Sequence, residues 1–198
     1  MPHADSSHLP EDVKTKAQLW AHIYEQLGYL VADQRQWVSN LANASSLIYH
    51  SLVSFSEFGT GDSAFGTGDS AVNWAGFYLA SELFPNSKPD PAAPPKLLLG
   101  PFCGRPACQF IRALPGKGVC ADAYVNKSTV LVKDVHAYPG HIACDGGTRS
   151  EIVSPIFAAD GRVVGVLDLD CLKEGGFEEV DREGVERIAK LLGQGCDW

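Results

Sequence analysis

The stretch SEIVSPIFAADGRVVGVLDLDC, residues 150–171, contains two runs of strand-forming residues, at 150–157 and 162–170. Val, Ile, Leu and Phe dominate both runs, as is typical of strands that are buried on at least one face. Asp160-Gly161 separates the runs, and this dipeptide favours the tight turn of a β-hairpin. The stretch therefore predicts two antiparallel strands joined by a short connection.

Similar strand-like runs precede this hairpin, and helix-like segments lie outside them. Further strands are predicted at 73–79, 96–99, 109–114 and 129–134, with a short helix at 116–126. Helices are predicted at 10–31, 36–53 and 178–193, where apolar residues recur at spacings of three and four. Strands that follow one another without alternating helices predict an α+β fold: a central, mainly antiparallel sheet flanked by N-terminal and C-terminal helices. The apolar stripes of these helices are expected to pack in the core, and they also allow a homodimer.

A single domain spanning residues 1–198 is expected, because no second core-forming segment is left over. Residues 1–9 are predicted to form a disordered tail. The heptad FGTGDSA occurs twice in succession at 58–71 and predicts a flexible glycine-rich loop. The proline-rich segment 84–95 predicts a stiff, exposed loop.

The composition argues against several classes of partner. The formal net charge is −8, whereas proteins that bind nucleic acid or anionic membranes need clustered Lys and Arg. No apolar run approaches the roughly 20 residues of a transmembrane helix. The N-terminal sequence MPHADSSHLPEDVK lacks the features of a secretory signal, so a cytoplasmic location is expected. A reducing compartment does not favour stable disulfides among the six cysteines.

Cys144 is the cysteine whose position is hardest to explain by packing. It lies in YPGHIACDGGTRSE, residues 138–151, where glycines and polar residues predict a loop. A loop cysteine is nucleophilic as a thiolate, and positive charge from His141 or Arg149 would favour that form. His136, His141 and Cys144 are conceivable metal ligands, but no fourth ligand stands at a familiar spacing, so no metal site is predicted.

Asp168 and Asp170 form a second candidate feature. Side chains alternate along a strand, so both carboxylates are expected on one face and Leu167 and Leu169 on the other. Like charges repel, so the pKa of one carboxyl group should rise and that group can hold a proton. An acid pair that binds an ammonium group or donates a proton is one interpretation, and Glu151 could join it. A solvent-facing strand end is the other.

Trp74 and Tyr78 form a third candidate feature. Their spacing along the predicted strand places both side chains on one face. Packing in the core is the more ordinary interpretation, and the aromatic wall of a small-ligand site is the alternative. The residues alone leave both open.

Five stretches together resemble a known family, the free methionine-(R)-sulfoxide reductases, which are built on a GAF-domain fold. They are WAGFYL at 74–79, LLLGPFCGRPAC at 97–108, GKGVC at 116–120, DVHAYPGHIACDGGTRSEIVSPIF at 134–157 and GVLDLD at 165–170. The resemblance extends from about residue 12 to residue 192, and it implies a single GAF-like domain.

The resemblance also implies roles for individual residues. Cys144 matches the catalytic cysteine, Cys108 the resolving cysteine and Cys120 an accessory cysteine. The acids match residues that bind the substrate and assist the chemistry, and the two aromatic residues match the wall around its methyl-sulfur end. Ile142 and Ala143, just before the catalytic cysteine, are the remaining matches for substrate binding. The full set is Trp74, Tyr78, Cys108, Cys120, Ile142, Ala143, Cys144, Glu151, Asp168 and Asp170.

The implied activity is the reduction of free L-methionine (R)-sulfoxide to methionine, with thioredoxin as the recycling partner. Cys144 would pass through a sulfenic acid to a disulfide, without a metal or an organic cofactor. Cys103, Cys171 and Cys196 match no role and are expected to be ordinary residues. Two alternatives remain: a GAF module that only binds a small molecule and signals, and a thiol-based peroxide sensor.

Overall fold

The computed structural model describes residues 9–59, 71–85, 92–142 and 144–198. The helices and strands in these ranges follow the predicted order. They are α1 (Lys16–Val31), α2 (Trp37–Ser54), β1 (Val72–Ala80), β2 (Lys96–Gly104), β3 (Phe110–Arg112), α3 (Val119–Asn126), β4 (Val130–Val132), β5 (Ser150–Phe157), β6 (Val163–Cys171) and α4 (Glu179–Gly195), with a short 3-10 helix at Ser81–Leu83. The predictions for 1–8, for 60–70 and for 86–91 lie outside the described residues.

The strands form one sheet of six in the order β3-β2-β1-β6-β5-β4, and each neighbouring pair is antiparallel. This confirms the predicted α+β fold. β6 lies in the middle, and its register fixes which side chains meet. Asp170 stands opposite Glu151 on β5 and Trp74 on β1, whereas Asp168 stands opposite Gly76 on β1. The sheet therefore brings the predicted acids and aromatics side by side.

The larger hydrophobic cluster fills the space between one face of the sheet and helices α1, α2 and α4. The apolar stripes that allowed a homodimer are largely used here, since Leu27, Leu41 and Ile188 are fully buried within the chain. Phe58 and Ala71, which begin and end the repeated heptads, are also fully buried. The backbone N–H of Val72 donates to the carbonyl of Phe58 at 3.2 Å.

A second, smaller cluster covers the opposite face of the sheet beneath α3. It contains Trp74, Tyr78 and Cys120, packed with Val153 and Val166. The alternation of side chains along β1 and β6 separates these residues from Phe77, Leu167 and Leu169, which belong to the larger cluster. The candidate site lies on the face of this second cluster.

Helix α1 begins six residues later than the predicted start at residue 10. Thr15 caps it: its hydroxyl accepts from the N–H of Gln18 at 3.3 Å, and the Gln18 side chain accepts from the N–H of Thr15 at 3.1 Å. This reciprocal capping box fixes the first turn. Before it, the N–H of Val13 donates to the carbonyl of Pro10, so this segment forms a turn rather than helix.

Strand β2 is longer than predicted, because it continues beyond Leu99 to Gly104 and includes Pro101. β3 pairs with β2 only from Lys96 to Leu98, so the rest of β2 is an edge strand, where a proline is tolerated. The remaining predicted boundaries agree with the structure to within three residues. None of the described helices is both long enough and apolar enough to cross a membrane.

Candidate active site

A cavity of about 400 Å³ opens on the α3 face of the sheet. Strands β1, β5 and β6 form its floor, and α3 and the loops before β3 and β5 form its walls. It is lined by the predicted site residues Trp74, Tyr78, Cys108, Cys120, Ile142, Cys144, Glu151, Asp168 and Asp170. Ala143, the remaining predicted site residue, lies outside the described residues. The fold thus gathers side chains that are spread over almost a hundred positions of the sequence.

Cys108 and Cys144 form a disulfide, with their Cα atoms 5.6 Å apart. Cys144 is exposed at the mouth of the cavity, and Cys108, on the loop before β3, is half-buried. The structure is therefore the oxidised form of this cysteine pair. The bond joins the two cysteines to which the family resemblance gives the catalytic and resolving roles, and it fits a thiol mechanism.

Cys120 is buried on α3 and takes no part in a disulfide. Its thiol donates a hydrogen bond of 3.2 Å to Oδ2 of Asp168. Burial, reinforced by the negative charges of Asp168 and Glu151, raises the pKa of the Cys120 thiol well above its usual value. In this form of the protein Cys120 is therefore a protonated thiol.

Glu151, Asp168 and Asp170 lie together on the floor of the cavity. Burial raises the pKa of each well above the ordinary carboxyl range, and each is raised further by a neighbouring acid. Asp168 is only 5% exposed, so the alternative of a solvent-facing strand end is wrong for it. Its Oδ1 atom is buried without a hydrogen-bond partner among the described residues. The site therefore favours acids that keep a proton at neutral pH.

His141 lies beside Glu151, with Nε2 at 3.5 Å from Oε2. Burial lowers the pKa of His141, so the neutral imidazole is favoured. A neutral imidazole would not supply the positive charge that was expected to favour the Cys144 thiolate. Arg149, the other candidate for that charge, is exposed, and its backbone pairs with Val135 and Cys171.

The ring of Trp74 stacks with two other aromatic rings. Its centroid is 5.9 Å from that of Tyr78 and 5.6 Å from that of Phe102. The two interpretations of Trp74 and Tyr78 are compatible, because both residues belong to a buried cluster and also line the cavity. The indole Nε1 of Trp74 is buried with no partner in the described part of the chain.

The hydroxyl of Tyr78 lies beside both redox cysteines. It donates to the backbone carbonyl of Cys108 at 3.0 Å and is 3.9 Å from Sγ of Cys144. Burial and the nearby acids raise the pKa of Tyr78, so the hydroxyl keeps its proton. This contact did not follow from the sequence.

A polar network that the sequence did not predict holds the Cys144 loop. Asn73 Nδ2 donates to Asp145 Oδ2 at 3.0 Å and to Thr148 Oγ1 at 3.1 Å. Arg105 Nη1 also donates to Asp145 Oδ2 at 3.0 Å. The N–H of Gly147 donates to Asp145, and this bond is the main cause of the lowered pKa of Asp145. In the sequence, the only sign of this network was that Asp145 directly follows Cys144.

A second set of contacts joins the Cys144 loop to α3. Asp122 accepts from the Tyr138 hydroxyl at 2.8 Å and from the N–H of Gly116 at 2.6 Å. Burial and the bond to Asp122 raise the pKa of Tyr138 to about 12. Gly140 has a positive φ, and a Cβ there would overlap the carbonyl of Gly116. The two loops therefore pack directly on each other.

Three ligand atoms of the site are close enough to share a metal ion. Among the described residues, Cys120, Glu151 and Asp168 offer ligand atoms that all lie within 4.8 Å of one another. This group differs from the set considered in the sequence, His136, His141 and Cys144.

The fold agrees with the comparisons with known proteins. The GAF domain family model matches residues 69–196. The free methionine-R-sulfoxide reductase of Saccharomyces cerevisiae is 46% identical over 194 residues, which cover 98% of this chain and 94% of that protein.

Solved structures agree as well. A GAF domain is 40% identical with a TM-score of 0.81, and the alignment covers 100% of this chain and 98% of that one. The free methionine-R-sulfoxide reductase of Neisseria meningitidis, solved in complex with its substrate, is 35% identical with a TM-score of 0.74, covering 96% and 95% of the two chains. The chain therefore belongs to the free methionine-R-sulfoxide reductases, a family of enzymes built on the GAF-domain fold.

Proposed function

We propose that the protein reduces free L-methionine (R)-sulfoxide to L-methionine through the thiols of Cys144 and Cys108. The observation that carries the proposal is their disulfide at the mouth of a cavity with an aromatic wall and a buried acidic floor. The similarity to relatives whose names state this activity supports it.

The cavity can hold each part of the substrate. Its volume of about 400 Å³ is in the range of small-molecule sites. The acids Glu151, Asp168 and Asp170 would bind the ammonium group, and the rings of Trp74 and Tyr78 would contact the methyl-sulfur end. Backbone N–H groups of the Cys144 loop, from residue 142 onward, would bind the carboxylate. Recognition of a free ammonium group would exclude peptide-bound methionine sulfoxide.

The chemistry begins with attack of the Cys144 thiolate on the sulfoxide sulfur. The oxygen takes up a proton as the S–O bond polarises, because oxide is a poor leaving group. A carboxyl group with a raised pKa can supply this proton, and the three acids on the floor all meet that condition. The S–O bond then breaks and the oxygen passes as hydroxyl to Sγ of Cys144, while the bond between Sγ and the substrate sulfur also breaks. Methionine leaves, and Cys144 becomes a sulfenic acid.

The second stage returns the two cysteines to their reduced form. The thiol of Cys108 condenses with the sulfenic acid, forming the Cys108–Cys144 disulfide and releasing water. Thioredoxin would then supply two electrons by thiol–disulfide exchange. Cys144 is exposed, so an attacking thiolate can reach it. This recycling fits the expected cytoplasmic location and requires neither a metal nor an organic cofactor.

The alternatives differ in what they predict for turnover. A GAF sensor would bind its ligand without consuming it, and a peroxide sensor would be oxidised by peroxide and show no stereospecific reduction of a sulfoxide. A homodimer also remains a prediction. The apolar stripes that allowed it are largely buried within the chain, so they are not available as its interface. Light scattering on the purified protein measures that state directly.

The proposal is tested by a coupled assay with thioredoxin, thioredoxin reductase and NADPH. We expect NADPH consumption with free methionine (R)-sulfoxide, and none with the S epimer or with a peptide-bound sulfoxide. Cys144→Ser should abolish turnover. Cys103→Ser is the matched control, because this cysteine lies on β2 outside the cavity lining. Full activity of Cys144→Ser, or equal turnover of both epimers, contradicts the proposal.

A further inference from the structure

We propose that the floor of the cavity is also a binding site for a thiophilic divalent cation such as Zn²⁺. Its ligands would be Cys120, Glu151 and Asp168, with His141 as the fourth. The bound ion would be a reversible inhibitor and not a cofactor of the reaction.

Three of the four side chains, Cys120, Glu151 and Asp168, are spaced closely enough to share one ion, and His141 reaches this group through Glu151. Bonds of about 2.0–2.3 Å to nitrogen, oxygen and sulfur place neighbouring ligand atoms roughly 3.3–3.8 Å apart around zinc. Cys120 Sγ lies 3.2 Å from Asp168 Oδ2, and His141 Nε2 lies 3.5 Å from Glu151 Oε2. Each pair therefore already has about the length of one tetrahedron edge. The ligand atoms of Cys120, Glu151 and Asp168 all lie within 4.8 Å of one another. To complete the shell, the His141 ring would have to turn toward the other ligands.

The site also contains a buried carboxyl oxygen that could bind a cation. Oδ1 of Asp168 is buried and has no hydrogen-bond partner among residues 9–59, 71–85, 92–142 and 144–198. Within the same ranges, neither Asp168 nor Glu151 forms an ion pair with a Lys or Arg side chain. A buried carboxyl oxygen without a partner is unfavourable, and a metal ion would supply the missing contact for Oδ1 of Asp168.

The composition of the site favours a thiophilic ion. A thiolate, an imidazole and two carboxylates are the ligand types that zinc takes in proteins, whereas Mg²⁺ and Ca²⁺ prefer oxygen alone. Binding would replace the proton of the Cys120 thiol, and that of any protonated carboxyl ligand, and release them to solvent. No electron is transferred, so the protein returns to its original state when a chelator removes the ion.

The ion would occupy the floor of the cavity, where all four ligands are accessible from within. Competition with the substrate ammonium rests on the function proposed above, but binding of the ion does not. Binding can be measured on the oxidised protein, in which the disulfide withdraws Cys108 and Cys144 from metal coordination. This separates the proposed site from the zinc affinity that any reduced pair of neighbouring thiols would have.

The test is titration of the oxidised protein with Zn²⁺ by calorimetry and with Co²⁺ by absorption. We expect one ion per chain and, for Co²⁺, a thiolate charge-transfer band in the near ultraviolet that EDTA abolishes. Cys120→Ser should remove that band and weaken Zn²⁺ binding at least about tenfold, because serine is a poor zinc ligand. Glu151→Gln, which leaves the thiol in place, should weaken binding but retain the band.

Cys103→Ser is the matched control and should bind both ions like the unaltered protein. Circular dichroism and the melting temperature report whether each variant is folded, and a folded Cys120→Ser that keeps the band overturns the proposal. Equal Zn²⁺ affinity of Cys120→Ser and the unaltered protein overturns it as well. Absence of turnover in the coupled assay would contradict the proposed reductase without affecting these binding results.

Discussion

The hydroxyl of Tyr78 donates a 3.0 Å hydrogen bond to the carbonyl of Cys108 and lies 3.9 Å from Sγ of Cys144. One side chain on the rigid centre of the sheet therefore contacts both loops that carry the disulfide. Because Cys108 lies on an irregular segment, this bond is a fixed point that holds Cys108 near Cys144.

Tyr78→Phe keeps the aromatic ring and removes only this hydroxyl. We expect slower closure of the disulfide, by up to about tenfold, since the hydrogen bond contributes roughly 1 kcal/mol. The measurement is a single turnover with dimedone present, which traps the sulfenic acid on Cys144 before Cys108 can react. More trapped adduct than in the unaltered protein is the expected result. Tyr29→Phe, on the exposed face of α1, is the control, and equal trapping in Tyr78→Phe would rule out the positioning role.

The raised pKa of Asp168 predicts how stability depends on pH. The folded protein holds a proton that the unfolded chain releases, so folding is linked to proton uptake. The contribution of this proton to the free energy of unfolding is fully present below the ordinary carboxyl pKa. It is lost as the pH rises through the raised pKa of Asp168 in the folded protein. Asp168→Asn, which cannot ionise, should therefore melt at a higher temperature than the unaltered protein at pH 8. Each kcal/mol corresponds to about 2–4 °C in a chain of this size.

The difference in melting temperature should shrink as the pH is lowered through the ordinary carboxyl range, because below that range Asp168 is protonated in both states. Asp160→Asn is the control, because Asp160 is exposed and its bond to Arg162 lowers its pKa. That substitution should slightly destabilise the protein at neutral pH, whereas Asp168→Asn should stabilise it. A lower melting temperature of Asp168→Asn at pH 8 would contradict the argument.

Asn73 is expected to matter for activity although it does not line the cavity. Asn73→Ala removes the donors that hold Asp145 and Thr148, so the Cys144 loop loses its attachment to β1. Misplacing a reacting atom by about 1 Å can lower a rate by roughly 100-fold, and we expect a fall in kcat of about 10- to 100-fold. Steady-state kinetics in the coupled assay measure it, with Asn43→Ala on the exposed face of α2 as the control. Unchanged kcat in Asn73→Ala would show that the loop keeps its position without this network.

Two glycines in helices should respond oppositely to substitution by alanine. A Cβ at Gly184 on α4 would overlap the ring of Trp20, whose Nε1 donates to the buried Asp181 at 2.8 Å. Gly184→Ala should therefore lower the free energy of unfolding by about 1–3 kcal/mol through overpacking. A Cβ at Gly28 on α1 meets no atom within 4 Å, so Gly28→Ala should raise it by roughly 0.5–1 kcal/mol. Denaturant unfolding checks both, and a shift of the same sign in the two variants would contradict this reading of the packing.

Alternation along strands predicted a substantial part of the site. Asp168 and Asp170 share a face because side chains alternate, and the same rule places Trp74 with Tyr78. These inferences needed only a correct strand assignment, and the antiparallel hairpin at 150–171 made that assignment secure. The family resemblance then linked the strands to Cys144.

Other features could not be read from the chain, because they depend on which strands are neighbours. His141 meets Glu151, and Arg105 and Asn73 meet Asp145, through the order and register of the sheet and the path of the loops. The predicted start of α1 was wrong for a local reason. Pro10 and the acids after it suit a first helical turn, but the Thr15–Gln18 capping box fixes the actual one.

The hydrogen bond between Val72 and Phe58 has a consequence for how the chain can change in length. Phe58 and Ala71 are buried at the two ends of the duplicated heptad, and this bond brings the departing and returning backbone together. A segment whose ends already meet can be doubled for an entropic penalty of only about 0.6 kcal/mol. We therefore expect insertion of whole heptads between Phe58 and Ala71 to leave the register of β1 unchanged, so that the face of the sheet that forms the cavity is not disturbed.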